Sequence, residues 1–159
     1  MSLNSLLAQL RRDRKGFGAM ELALAMPFLI LLGLGTVDAS KLISTKIDFE
    51  QAAQRGTDFA LAKRPNGSDG SYIQTEVASM TGIDAQDVTV TIFLECNGVK
   101  QTNFETVCAA GQSPARFVSV EVRKDVATEF DWSFFGRMFD IKAFDSTVSV
   151  AGDSLVRFQ

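Results

Sequence analysis

The chain has 159 residues, with 16 Lys and Arg against 19 Asp and Glu, no His and two Cys. That length holds one modest core plus an extra element, and an apolar share of 46% excludes both disorder and a multi-span membrane protein. The missing His excludes Ser-His-Asp triads, His-ligated metals and imidazole bases, and two Cys cannot close a tetrahedral zinc site.

The net charge of −3 hides an uneven distribution. Arg11, Arg12, Arg14 and Lys15 against Asp13 give the first sixteen residues +3, which leaves the rest at −6. An acidic body repels phosphates, so nucleic acid is not an expected partner. From Phe17 to Val37 the chain reads FGAMELALAMPFLILLGLGTV, with Glu21 as its single charge. About 20 helical residues cross a bilayer core, and Ala23 to Gly35 lacks the polar stripe of a soluble helix. Four basic residues precede this run, whereas Asp38 follows it and Lys41 and Lys46 come later. The basic side stays cytoplasmic, which predicts a single-pass bacterial inner-membrane protein with an exported, periplasmic body. The expected organisation is a basic leader over 1–16, a transmembrane helix over 17–38, its exported amphipathic continuation over 39–64, and a periplasmic α+β domain over 65–159.

Glu21 lies five residues into the apolar run. A carboxylate in hydrocarbon costs about 2.5–3.5 kcal/mol, so it marks a function by default; the alternative is a tolerated position at the interface near Lys15. Its surroundings are Arg14-Lys15-Gly16, then Phe17-Gly18-Ala19-Met20-Glu21. This pattern of basic leader, Gly, and Glu five residues later resembles the prepilin-peptidase site of type IV pilins. With Pro27 and the stretch Ala52-Ala53-Gln54-Arg55-Gly56, residues 11 to 62 resemble the TadE-like minor pilins of Tad pili. Where that family often has Phe or Tyr after the Glu, this chain has Leu22.

The resemblance implies cleavage between Gly16 and Phe17 by a prepilin peptidase acting from the cytoplasmic side. It implies that Glu21, at mature position five, supports assembly with other minor and major pilins on an inner-membrane platform. Cleavage creates an α-amino group at the head of the helix, and in a bundle one subunit's Glu can meet the next subunit's amine. A Gly at the cut leaves room for a protease to grip the backbone.

In the exported body, Leu42, Ile43, Ile47, Ala53, Phe59 and Ala60 recur mostly at helical spacings, so Ser40 to Lys63 continues the helix. Pro27 is expected to kink it, and the turn formers from Arg64 to Gly70 to end it. A short helix is predicted over 71–81. Strands are predicted over 88–94 and 117–123, with two more over 147–150 and 155–158. Together these give an α+β fold: a long N-terminal transmembrane and amphipathic helix packed on a small antiparallel sheet, as in pilins. Cys96 and Cys108 lie in the exported part, where disulfides persist; a bridge would restrain the long link from Asn97 to Ala115, and two independent thiols are the alternative. Phe130, Trp132, Phe134, Phe135, Met138 and Phe139 form the densest aromatic cluster. It reads either as core or as a contact surface for another pilin or for membrane lipid, with Asp131 and Arg137 as a polar rim.

No GxSxG elbow, phosphate-cradling Gly loop or paired carboxylates stand in the sequence, so neither an enzyme nor a cofactor is expected. The expected function is a minor pilin, or pseudopilin, of an adhesion pilus. Two other classes remain: an uncleaved membrane-anchored periplasmic binding module, and an ordinary secreted protein cut near Val37-Asp38-Ala39.

Overall fold

In a computed structural model the described residues are 17–140 and 146–159. The basic leader, Gly16 included, lies outside them. The elements in chain order are helix α1 (Phe17–Ala62), helix α2 (Ser71–Thr81), strands β1 (Val88–Cys96), β2 (Val99–Lys100) and β3 (Pro114–Ala127), helix α3 (Ser133–Phe139), and strand β4 (Thr147–Arg157). A 3-10 turn over Ala85–Asp87 leads into β1. The architecture is a long N-terminal helix and a four-stranded antiparallel sheet in the order β2-β1-β3-β4, an α+β fold. Between Ala39 and Ser40 the chain divides into two units.

Within the second unit, alternation decides which face of the sheet is dry. Val88, Ile92 and Leu94 of β1, Val118, Val120 and Val122 of β3, and Val150 of β4 are buried on one face. The buried residues of α1 that close this core are Phe49, Ala52, Ala53, Gly56, Thr57 and Ala60, which recur at helical spacing. Most of them are small, so the helix backbone lies close to the strands. A Cβ on Gly56 would sit 2.7 Å from Val77 Cγ2 and 3.1 Å from Val120 Cγ1. A Cβ on Gly152 of β4 would run into the α1 backbone itself, at Phe49 C and O and at Glu50 N. The buried Thr57 hydroxyl donates to Gln54 O at 2.8 Å, which leaves Ser154 Oγ, 3.0 Å away, as its donor. Ile43 and Ile47, expected on the buried face, are instead 61% and 47% exposed. Leu42 and Phe59, also expected there, do pack against the core, so the stripe that packs passes Ile43 and Ile47 by and is otherwise made largely of small residues.

Helix α2 forms where predicted. Gly82 (φ +70°) ends it in a left-handed cap, its N–H donating to Ala78 O at 3.0 Å. Ile73 and Val77, one turn apart, face the core. The Gln74 side-chain amide donates to Ala85 O (2.5 Å) and Val88 O (2.9 Å), which joins the helix to the start of β1.

The two short C-terminal strands expected over 147–150 and 155–158 are one strand. Gly152-Asp153 makes no turn there, because Gly152 pairs with Val122 and Asp153 with Glu121 in unbroken register with β3. The long link after β1 also begins differently from expectation. Asn97 (φ +50°) and Gly98 (φ +79°) form a two-residue hairpin turn, and Cys96 pairs with Val99 across it. The cysteines are disulfide-bonded, with their Cα atoms 5.6 Å apart. Between them, Phe104 is buried and stacks on Phe158 with ring centroids 6.4 Å apart. The Arg116 guanidinium lies 5.0 Å over Phe104 and bonds the Gln159 side chain. The loop is therefore tied to the end of β1 by the disulfide and held beside β3 and the end of β4 by a buried ring.

Three stability measurements test this packing, all on the full chain in detergent micelles by thermal unfolding. Gly152→Ala forces backbone apart and is expected to cost about 2–3 kcal/mol, a midpoint lower by roughly 5–10 °C. Gly56→Ala meets only valine methyls and gains helix propensity, so its loss is expected to stay within about 1 kcal/mol. Equal effects would contradict the close approach at Gly152. Reduction of the disulfide is expected to remove about 3 kcal/mol and to lower the midpoint by roughly 6–10 °C.

Candidate functional site

The first unit presents a helix with almost nothing but hydrocarbon on its outside. α1 is the one helix among the described residues long and apolar enough to cross a membrane, and its apolar window has no buried residue. Phe28 and Leu32, for example, are 69% and 68% exposed. Exposed apolar surface on this scale marks a lipid or protein contact, because water penalises it by about 25 cal/mol per Å². Backbone polarity is no obstacle, since a helix satisfies its own donors and acceptors. Thr36 keeps its hydroxyl satisfied in the same way, donating to Leu32 O at 2.8 Å.

Four of the residues singled out in the sequence fall on or before this helix. Gly16 lies outside the described residues. Phe17 is the first residue of α1, and its side chain also lies outside them. Glu21, one turn in, is exposed on the helix surface. Pro27 sits inside α1, which continues on both sides of it.

The second unit holds the rest. Of the aromatic cluster, Phe130 and Trp132 meet edge to face with centroids 5.0 Å apart, and Phe134 is 56% exposed. The side chains of Phe135 and Phe139 lie outside the described residues. Asp131, expected as a polar rim, is exposed and bonds to its own chain. Its Oδ1 accepts from the Ser133 N–H at 3.0 Å and from the Ser133 hydroxyl at 2.5 Å, and these bonds hold its pKa below the ordinary carboxylate value. Lys41, a residue that sequence reasoning passed over, donates to Ala127 O at 3.1 Å and pairs with Glu129. No sequence signal ties positions 86 or more residues apart, so only the fold reveals this contact.

Elsewhere the body carries local electrostatics. Lys124 bridges Asp87 (3.1 Å) and Asp84 (3.3 Å), and those two carboxylates raise its pKa. The Tyr72 hydroxyl donates to Lys63 O at 2.9 Å, and desolvation followed by the charge of Asp69 pushes its pKa up. A cavity of about 370 Å³ opens beside the disulfide loop, with Arg64, Asn66, Glu105 and Arg116 around buried Phe104 and Phe158. Among the described residues no cluster of three or more His, Cys, Asp or Glu is placed to hold a metal ion.

Neither a curated protein nor a solved structure matches the chain. Residues 16–58, which take in Glu21, Pro27 and Ala52 to Gly56, match the family model of TadE-like proteins.

Proposed function

We propose that this protein is a minor pilin of a Tad-type, type IV-related adhesion pilus. The observation that carries the proposal is the TadE-like match over residues 16–58, which coincides with an exposed apolar helix interrupted by one acid, Glu21. In this reading residues 1–16 are a cytoplasmic leader, 17–38 span the bacterial inner membrane, 39–64 continue the helix outside it, and 65–159 form the periplasmic domain. A prepilin peptidase cuts after Gly16. The new α-amino group at Phe17 is positive at neutral pH.

Assembly then runs through the helix. In the bilayer, Glu21 bears a desolvation cost that a neighbouring subunit's amine offsets once helices bundle, so the acid favours the assembled state over the free subunit. The rest of the span gains little from leaving lipid, since lipid tails are as apolar as leucine. The charge pair thus supplies the preference for a subunit neighbour. Pro27 removes one backbone hydrogen bond and gives the helix a bend with which to fit that bundle. A TadE-like protein is structural, and the role assigned to this chain is architectural too, with other pilins and an assembly platform in the inner membrane as partners.

The mass of the mature N-terminus, read on protein purified from membranes, tests processing. A start at Phe17 is expected. A start at Met1 would make the chain an uncleaved anchored module, and a start at Ser40 a secreted protein. Glu21→Ala tests assembly: membrane insertion is expected to stay intact, while filament incorporation falls about tenfold or more, the scale of losing one partner of a desolvated pair. Normal incorporation of that variant would refute the charge pairing.

A further inference from the structure

The dipeptide Asn-Gly stands twice in the chain, at Asn66-Gly67 and at Asn97-Gly98. Asparagine is labile in this context, because glycine places no Cβ beside the amide nitrogen that attacks the asparagine side chain. Both asparagines are exposed, so access to water does not separate them. Backbone freedom does. Asn97 stands at φ +50° in the turn between β1 and β2, with Cys96 paired to Val99 around it and bonded to Cys108. Its N–H donates to Ser113 O at 3.1 Å, and its Oδ1 accepts from the Ser113 N–H at 2.8 Å. Asn66 lies in the linker from α1 to α2, which is fixed at its two ends. The Tyr72 hydroxyl holds Lys63 O, and Gly70 is buried so near Val90 that a Cβ there would meet Val90 Cγ1 at 2.5 Å. Between those points Asn66, Gly67 and Ser68 form a bend. Among the described residues neither Asn66 nor Gly67 makes a hydrogen bond, and a Cβ on Gly67 would meet nothing within 4 Å.

We propose that Asn66 is a self-modifying site, which loses its side-chain amide without an enzyme while Asn97 keeps its own. Water or hydroxide takes the proton of the Gly67 amide, whose nitrogen attacks Asn66 Cγ. The new N–Cγ bond closes a five-membered imide, the Cγ–Nδ2 bond breaks, and ammonia leaves with the proton. Water then adds to either imide carbonyl and breaks its bond to nitrogen. Opening at Cγ leaves an ordinary aspartate. Opening at the main-chain carbonyl leaves the chain running through Cγ, one carbon longer. Nothing is oxidised or reduced, and water is the one co-reactant. At Asn97 the same closure must rotate the backbone out of its left-handed turn, which releases the Ser113 N–H from Oδ1 and parts Cys96 from Val99. The bend at Asn66 has no such bonds to give up. Its product carboxylate also has charge in its favour, because Asn66 lines the same cavity as Arg64 and Arg116, with Glu105 as the one acid among the side chains there. Ageing of the protein therefore adds a negative charge to the linker between α1 and α2.

The two sites serve as each other's control. The full chain is incubated in detergent micelles in mildly alkaline buffer, then reduced, cut after glutamate and read by mass spectrometry against an unincubated sample. Cleavage after Glu76 and Glu95 places the two asparagines in different peptides. Isomerisation at Asp69-Gly70 leaves mass unchanged, so a gain in mass reports loss of an amide. In the folded chain Asn66 is expected to deamidate about tenfold or more faster than Asn97, whose turn must open first. In the unfolded, reduced chain the two rates are expected to converge, since only the dipeptide then counts. Gly67→Ala has room for its methyl and is expected to slow the loss at Asn66 severalfold with the thermal midpoint unchanged. Equal rates at the two sites of the folded chain, or faster loss at Asn97, would overturn the proposal. So would an Asn66 that stays intact in the folded chain while both sites react in the unfolded one. An unchanged rate in Gly67→Ala would remove Gly67 as the attacking residue and the mechanism with it.

Discussion

Contact between the α1 backbone and the sheet is the constraint on which the domain depends. At Gly152 the strand meets the helix main chain at Phe49 and Glu50 with no side chain between them, and at Gly56 the helix yields space to Val77 and Val120. A helix and a sheet usually keep a layer of large side chains between them. Here that layer thins, after Phe49, to Ala52, Ala53, Gly56, Thr57 and Ala60 on one side, while valines supply most of the bulk on the other. The burial per residue of helix is modest, so the gain comes from tight fit over the length of the stripe.

This explains what the Ala-Ala-x-Arg-Gly stretch does in this chain. Its two alanines and its glycine are buried, while Arg55 points outward. In this protein the TadE-like segment solves two packing problems with one helix. Its first half exposes large apolar side chains, and its second half removes bulk so that a sheet can come near.

Much of this was legible from composition and period. The apolar run from Phe17 follows from its length and composition, and the helix over Ser71–Thr81 and the strands around Val90 and Val120 follow from spacing, because in these last the pattern and the burial agree. The failures share a cause. Ile43 and Ile47 are better hydrophobes than Ala52 and Gly56, so a periodicity argument favours them, yet only small residues permit the backbone approach that the sheet demands. Gly152 reads as a turn for the same reason: glycine's lack of a side chain serves bending and close contact alike, and sequence does not say which. Asn97-Gly98 did carry a local signal, since adjacent Asn and Gly suit a tight hairpin turn with both residues at positive φ. The anchor formed by Lys41 had none. Gly16, Phe17, Glu21 and Pro27 are visible as a pattern because they lie close together in sequence, within or beside the stretch that matches TadE-like proteins.

The meeting of Gly152 with Phe49 and Glu50 also sets an order of events. The two sides of that contact are about a hundred residues apart, so closing it is entropically slow and waits on β4, which pairs with β3 late in the chain. Until then the small stripe of α1 has only earlier parts of the chain to lean on, such as Val77 and Val120 beside Gly56. Synthesis delivers the helix first and β4 last, so the chain passes through a stage in which α1 is complete while its contact at Gly152 is still unmade.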